Sequence, residues 1–160
     1  MTSIEPSLFR ALCGRFPTGV IVVTALDATG RPVGMTANSF TSVSLHPPLI
    51  SVNVDHRADM HRHLTTASHF VVNVLERHQE ALSRRFAEDH ADRFDGVGYR
   101  AGELGVPVLE GVLAVLECER HTCFEAGDHT IVVGRVVGGA AAEGRPLLYY
   151  RGGYASLGEA

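Results

Sequence analysis

Residues 19–26 read Gly-Val-Ile-Val-Val-Thr-Ala-Leu, an almost unbroken run of β-branched and apolar side chains. Such residues lose rotamer freedom in a helix and pack well on a pleated surface, so the run predicts a strand covered on both faces. Asp27-Ala-Thr-Gly30 and Pro32 supply the turn that ends it. Residues 33–45 and 49–55 are also strand-like, and Pro47-Pro48 separates them because neither proline can donate to a ladder. Within the second stretch Ile50, Val52 and Val54 alternate with Ser51, Asn53 and Asp55. One face is therefore apolar, and the other presents small polar groups to solvent or to a polar ligand.

Helical signals are short. Residues 3–15 place Ile4, Leu8, Ala11 and Leu12 at helical spacing, residues 57–67 predict a second helix, and residues 77–88 a third with Leu82 and Phe86 four apart. Strands are predicted at 69–75, 112–124 and 130–138, the last two joined through a Glu125-Ala-Gly-Asp-His129 turn. Residues 89–105, rich in Gly, Asp and Arg, read as the longest loop. Strands and helices do not alternate regularly, and no GxGxxG follows a strand. That pattern favours an antiparallel barrel over a doubly wound sheet. No repeat or linker divides residues 1–160, so one domain is expected.

Composition excludes several functions. With 18 acidic and 14 basic residues the net charge is -4, which argues against binding nucleic acid or an anionic membrane surface. Every basic residue is arginine, so lysine Schiff-base and P-loop chemistry cannot occur. No run has the roughly 20 apolar residues of a membrane span, and the opening residues lack the basic and apolar regions of a signal peptide. A soluble cytoplasmic protein is expected. Cys13, Cys118 and Cys123 form no CxxC and read as free thiols.

Nine histidines raise the question of a metal. In a regular strand Cys118 would lie on the opposite face from both His121 and Cys123. His61 and His63, two apart on a helix, point away from each other, and His56 nearby does not complete a set. The sequence predicts no metal centre.

The stretch Gly34-Met-Thr-Ala-Asn-Ser-Phe-Thr-Ser-Val-Ser-Leu45 combines small side chains with many hydroxyl and amide groups. Those features suit the approach of a flat, polar heterocycle, and equally an edge strand rich in Ser and Thr. It is one of five motifs that occur in order. The others are Phe16-Pro-Thr-Gly-Val-Ile-Val-Val-Thr24, Ser42-Val-Ser-Leu-His-Pro-Pro-Leu49, Gly127-Asp-His129 and Pro146-Leu-Leu-Tyr-Tyr150. Together, from about Leu8 to Tyr154, they resemble the flavin reductase family, the split-barrel partners of two-component flavin-dependent monooxygenases.

The resemblance implies a mainly β fold, a six-stranded Greek-key split β-barrel with short peripheral helices, in a homodimer with flavin at the subunit interface. It places Met35, Thr36, Ala37, Asn38, Ser39, Phe40, Val43 and Ser44 around the isoalloxazine, with Ser51, Val52, Asn53 and Val54 lining the same cleft. Ser83, Arg84, Arg85, Phe86 and Ala87 resemble the segment that closes over the phosphate end, where guanidinium groups suit phosphate oxygens. A solvated helix face is the other reading of the arginine pair.

Asp128 would shape its turn and His129 would position the nicotinamide, with no side chain acting as acid or base. The implied activity is hydride transfer from NADH or NADPH to FAD or FMN, with transient hand-over of reduced flavin to a monooxygenase. Members that prefer FMN carry a Ser-x-Thr phosphate contact where this chain has Ala58-Asp-Met60. That departure implies a flavin held loosely, as a substrate. The competing function is a non-catalytic flavin-binding protein on the same barrel, a store or redox sensor.

Overall fold

A computed structural model describes residues 4–88 and 92–158. Helix α1 (Pro6–Cys13) is followed by β1 (Thr18–Gly19), β2 (Ile21–Leu26), β3 (Pro32–Ala37), β4 (Thr41–Leu45) and β5 (Pro48–Asp55). Then come α2 (Asp59–Thr66), β6 (His69–Val74), α3 (Glu80–Ala87), β7 (Tyr99–Ala101) and β8 (Pro107–Leu109). A long hairpin of β9 (Ala114–Ala126) and β10 (His129–Ala141) precedes the short β11 (Leu148–Tyr150) and β12 (Gly153–Ala155). The fold is mainly β, and among the described residues no helix is long and apolar enough to cross a membrane.

Seven strands, in the order β3-β2-β6-β9-β10-β5-β4, form one antiparallel sheet, where six were expected. Residues 33–45 are not one strand but two, interrupted at Asn38-Ser39-Phe40, and the two halves occupy opposite edges of the sheet. Six inter-strand spacings would put the edges of a flat sheet about 29 Å apart. The chain from Ala37 to Thr41 can span only about 14 Å. The sheet must therefore roll until the end of β3 lies beside the start of β4.

Rolling creates an inside. Ile21, Val23 and Ala25 of β2, Ile50, Val52 and Val54 of β5, Phe70 and Val72 of β6 and Val132 of β10 fill it, and Met60 and Leu64 of α2 complete the same cluster. The alternate residues Val20 and Val22 pack outside it with Leu75, Phe86, Leu109 and Leu147. Burial on both faces explains why the run at 19–26 carries no polar face. The alternation read in 49–55 also holds, with Ile50, Val52 and Val54 buried and Asn53 exposed.

Periodicity fails on β9. Pairing with β10 slips between Val133 and Gly134, which oppose Thr122 and Arg120, leaving His121 as an extra residue. Such a bulge inverts the parity of the strand beyond it. Cys118 and Cys123 accordingly face the same core instead of opposite sides of the sheet. Gly134, at the slip, is where a Cβ would come within 2.4 Å of Phe70 Cζ, so only glycine lets β10 pass that ring.

One buried polar residue ties β2, β6 and β8 together on the outer side of the sheet. Asn73 donates through Nδ2 to Val22 O (3.0 Å) and Thr24 Oγ1 (3.1 Å), and its Oδ1 accepts from Leu109 N–H (2.9 Å). Removing that side chain leaves a buried N–H and a buried carbonyl without their partner, at about 1–3 kcal/mol each. Asn73→Ala should lower the urea midpoint by an amount equivalent to about 2–4 kcal/mol with an unchanged m-value, measured by far-UV circular dichroism.

Candidate functional site

The rolled edge gathers the polar residues singled out in the sequence. Ser39, in the link between the edges, is clamped to β5: its Oγ accepts from Asn53 N–H (2.9 Å) and donates to Asn53 O (3.1 Å). Across the sheet Ser51 pairs with Thr41 of β4 on one side and Val133 of β10 on the other, while Asn53 pairs with Ile131 and Asp55 with His129. Directly paired residues share a face. Thr41, Ser51, Asn53, Asp55 and His129 therefore lie on one outer face, with Ser39 at its edge. Every residue of β4 is exposed, Val43 and Ser44 included, and among the described residues β4 pairs with β5 alone, so its outer backbone edge is available.

His129 is the first residue of β10 and not part of the turn, which is the two-residue Gly127-Asp128 with Gly127 at φ 67°. Its strand pairing fixes it on the polar face. The ring's Nδ1–H donates to Asp128 Oδ1 (2.7 Å), and that hydrogen bond, with the attraction of the imidazole, holds the Asp128 carboxyl below its usual range. Nε2 is left as the ring's other hydrogen-bonding atom. Asp55 is held lower still, chiefly by hydrogen bonds from Arg57, so both carboxylates are anionic at neutral pH.

Other predicted site residues face elsewhere. Val52 and Val54 belong to the core and reach the outer face only through their backbone. Met35, Ala37 and Phe40 pack against the same core. Thr36 Oγ1 donates to Ser83 O (2.7 Å), so its hydroxyl holds α3 against β3. Asn38 is exposed in the link.

The segment Ser83 to Ala87 was expected over a phosphate. Ser83 and Phe86 are fully buried instead, because α3 turns that side toward β3. Phe86 lies under Gly34, where a Cβ would come within 2.8 Å of Phe86 Cε1, which accounts for the glycine opening the 34–45 stretch. Ser83 Oγ meets Tyr154 OH at 2.8 Å. Arg84 pairs with Glu80 and stacks 4.8 Å from the centroid of Tyr154, while Arg85 donates to the carbonyls of Asp92, Arg93 and Asp95. Both guanidinium groups thus have partners within the protomer, and only Ala87 is exposed without one of these structural duties. Ala58 precedes α2 and Met60 is buried, so that stretch offers no hydroxyl either.

Alternation in the sequence already groups Asp55 with Ser51 and Asn53, although neither Asp55 nor Thr41 is named among the flavin-lining residues; the structure adds Thr41 to complete the polar face. Strand parity signals both, since each differs by an even number of residues from a flagged one.

Residues 13–158 match the flavin reductase like domain. The chain belongs to this family. It is 44% identical over 154 residues, covering 96% of this chain and 91% of the relative, to a flavin reductase of Pseudomonas putida. It is 36% identical over 157 residues, covering 96% and 83%, to HsaB of Mycobacterium tuberculosis, the reductase subunit of a flavin-dependent monooxygenase. A solved family structure, the NADH:FAD oxidoreductase SgcE6 of Streptomyces globisporus C-1027 in complex with NAD and FAD fragments, superposes with a TM-score of 0.91 at 41% identity, covering 99% of this chain and 98% of that one. Two matching Rhizobium meliloti proteins are longer, and the chain spans 65% and 48% of them.

The cysteines differ in reactivity with their burial. Burial pushes the Cys118 thiol up to about 12, with the neighbouring Glu117 adding to the effect, whereas Cys13 is exposed. Thiolate is the reactive form. Iodoacetamide at pH 8 should therefore label Cys13 in the native protein and Cys118 only after unfolding, as read by peptide mass mapping.

Proposed function

We propose that residues 1–160 act as one flavin reductase domain that passes hydride from NAD(P)H to FAD or FMN and supplies reduced flavin to a partner monooxygenase. The observation that carries this reading is the polar outer face on which Ser39, Thr41, Ser51, Asn53 and His129 converge along the open edge of β4. Its donor set fits a flavin: hydroxyl, amide and free backbone groups match the ring's polar edge, and small side chains let a flat ring approach. When bound, the flavin accepts hydride at N5 from C4 of the reduced nicotinamide, which is the cofactors' own chemistry.

The chain's residues orient and exclude water. With Nδ1–H committed to Asp128, His129 Nε2 is free to accept from a carboxamide N–H of the nicotinamide, which fixes the ring's direction without any proton transfer. Ser39 holds the link that borders the flavin. Met35 to Phe40, Val43, Ser44 and Ser51 to Val54 form the floor and rim, several through backbone alone. Ser83 and Phe86 act one layer behind, by holding β3 in place. Arg84 and Arg85 already spend Nε and Nη2 on partners within the protomer, so only part of each guanidinium's donor set is left for a phosphate, and no hydroxyl pair stands at Ala58 to Met60. Both features support a loosely held flavin that serves as substrate.

A homodimer completes this reading as a split barrel. Helix α1 buries no residue, and Leu8, Phe9, Leu12, Phe16, Leu45 and Phe124 are all more than half exposed. Apolar exposure on that scale marks an interface. Use of NAD(P)H and three unpaired cysteines fit the cytoplasm.

Mixing the purified protein with FAD or FMN and either NADH or NADPH should bleach the flavin absorbance under anaerobic conditions. No bleaching with any of the four pairs would leave the store or sensor as the surviving function. His129→Ala should raise the nicotinamide KM or slow reduction by about 10-fold with flavin affinity nearly intact. Leu45→Glu should shift the protein from dimer to monomer in sedimentation velocity and raise the flavin KM.

A further inference from the structure

His56, His61 and Glu125 come together from three separate elements. His56 follows β5, His61 is in the first turn of α2, and Glu125 is the penultimate residue of β9. One potential ligand atom from each lies within 4.8 Å of the other two. Glu125 pairs directly across the ladder with Thr130, and Thr130 with Val54, so the three-strand end of the sheet fixes their spacing. The backbone at His56 is also held, its N–H donating to Asp128 O at 3.0 Å. Thr130 is buried and Val132 is in the core, so this cluster is on the inner face, the side of the sheet opposite His129.

The side chains already form a chain of hydrogen bonds. His56 Nε2 meets Glu125 Oε2 at 2.8 Å, Glu125 Oε1 accepts from Thr130 Oγ1 at 2.9 Å, and Thr130 Oγ1 meets His61 Nε2 at 2.8 Å. Thr130 spends its only proton on Glu125, so His61 must donate through Nε2–H. The two imidazoles and one carboxylate thus converge with their ring nitrogens aimed inward, and Glu125 has no arginine among its described partners.

We infer that His56, His61 and Glu125 bind a divalent transition-metal ion of the zinc class, with water in a fourth position. Two imidazoles and one carboxylate suit Zn²⁺ better than Mg²⁺ or Ca²⁺, which favour all-oxygen shells. Coordination through Nε2 needs only that each neutral ring carry its hydrogen on Nδ1. The hydrogen bonds to Glu125 and Thr130 then give way to bonds to the ion. This site is separate from the flavin face, so its test does not depend on the proposed activity.

The test uses untagged, EDTA-treated full chain, titrated with ZnCl₂ against a chromophoric chelator and, separately, with CoCl₂ read by visible absorption. The expected result is one Zn²⁺ per chain and intense tetrahedral Co²⁺ bands. His61→Ala and Glu125→Gln should weaken Zn²⁺ binding by about 10- to 100-fold or more and abolish the Co²⁺ bands, while His63→Ala leaves both unchanged. Far-UV circular dichroism of the metal-free variants checks that they fold, and exposed His56→Asn serves as the third ligand variant if either of the others does not. Absence of Zn²⁺ uptake by the wild type, or uptake that the ligand variants leave unchanged, overturns the site and leaves the cluster as a hydrogen-bonded chain only.

Discussion

Three residues, Asn38 to Phe40, connect the two opposite edges of a seven-stranded sheet. A link that short cannot bridge a flat sheet, and the curvature it imposes sets everything else. It gives the sheet an inside for Ile21, Val52, Val54, Phe70 and Val132, and an outer face where Ser51, Asn53 and His129 stand in register. The paired hydrogen bonds between Ser39 and Asn53 fasten the link to β5 at the point where the polar face begins. A fold constraint and the proposed flavin cradle are thus the same few residues.

Hydride transfer between two cofactors asks the protein for geometry and dryness more than for acids and bases. The site reflects this. Its side chains are small and uncharged apart from the Asp55 carboxylate, which is satisfied by Arg57, and the His129 ring, which serves as a hydrogen-bonding group. The charged residues of α3 are used structurally, Arg84 against Glu80 and Tyr154 and Arg85 on the loop carbonyls beyond the helix. A site with little charge committed to phosphate is consistent with a flavin that arrives and leaves.

Much of this was legible wherever one local rule acted alone. The alternation in 49–55 named the buried and polar faces of β5 correctly, and the unbroken run at 20–26 announced a strand with cores on both sides. Parity misled at β9, because the extra residue His121 is invisible to a pattern that assumes a regular ladder, and so Cys118 and Cys123 share a core. It also misled along 33–45, where Asn38 to Phe40 fit a strand by composition yet turn the chain from one edge to the other. On α3 the expectation of a phosphate-facing surface met Ser83 and Phe86 fully buried, since the helix is rotated by its contacts with Gly34, Thr36 and Tyr154.

By itself the sequence determined a lysine-free, mainly β chain, the polar face of β5 and, through five ordered motifs, the family. These depend on side-chain type and short-range periodicity, which the order of residues carries directly. Tertiary structure alone decided which strands became edges, which arginines were occupied, and that His56, His61 and Glu125 meet. Those outcomes rest on ladder register and sheet curvature, which bring together residues far apart in the chain, as at His61 and Thr130, 69 positions apart, and no local pattern encodes such a meeting.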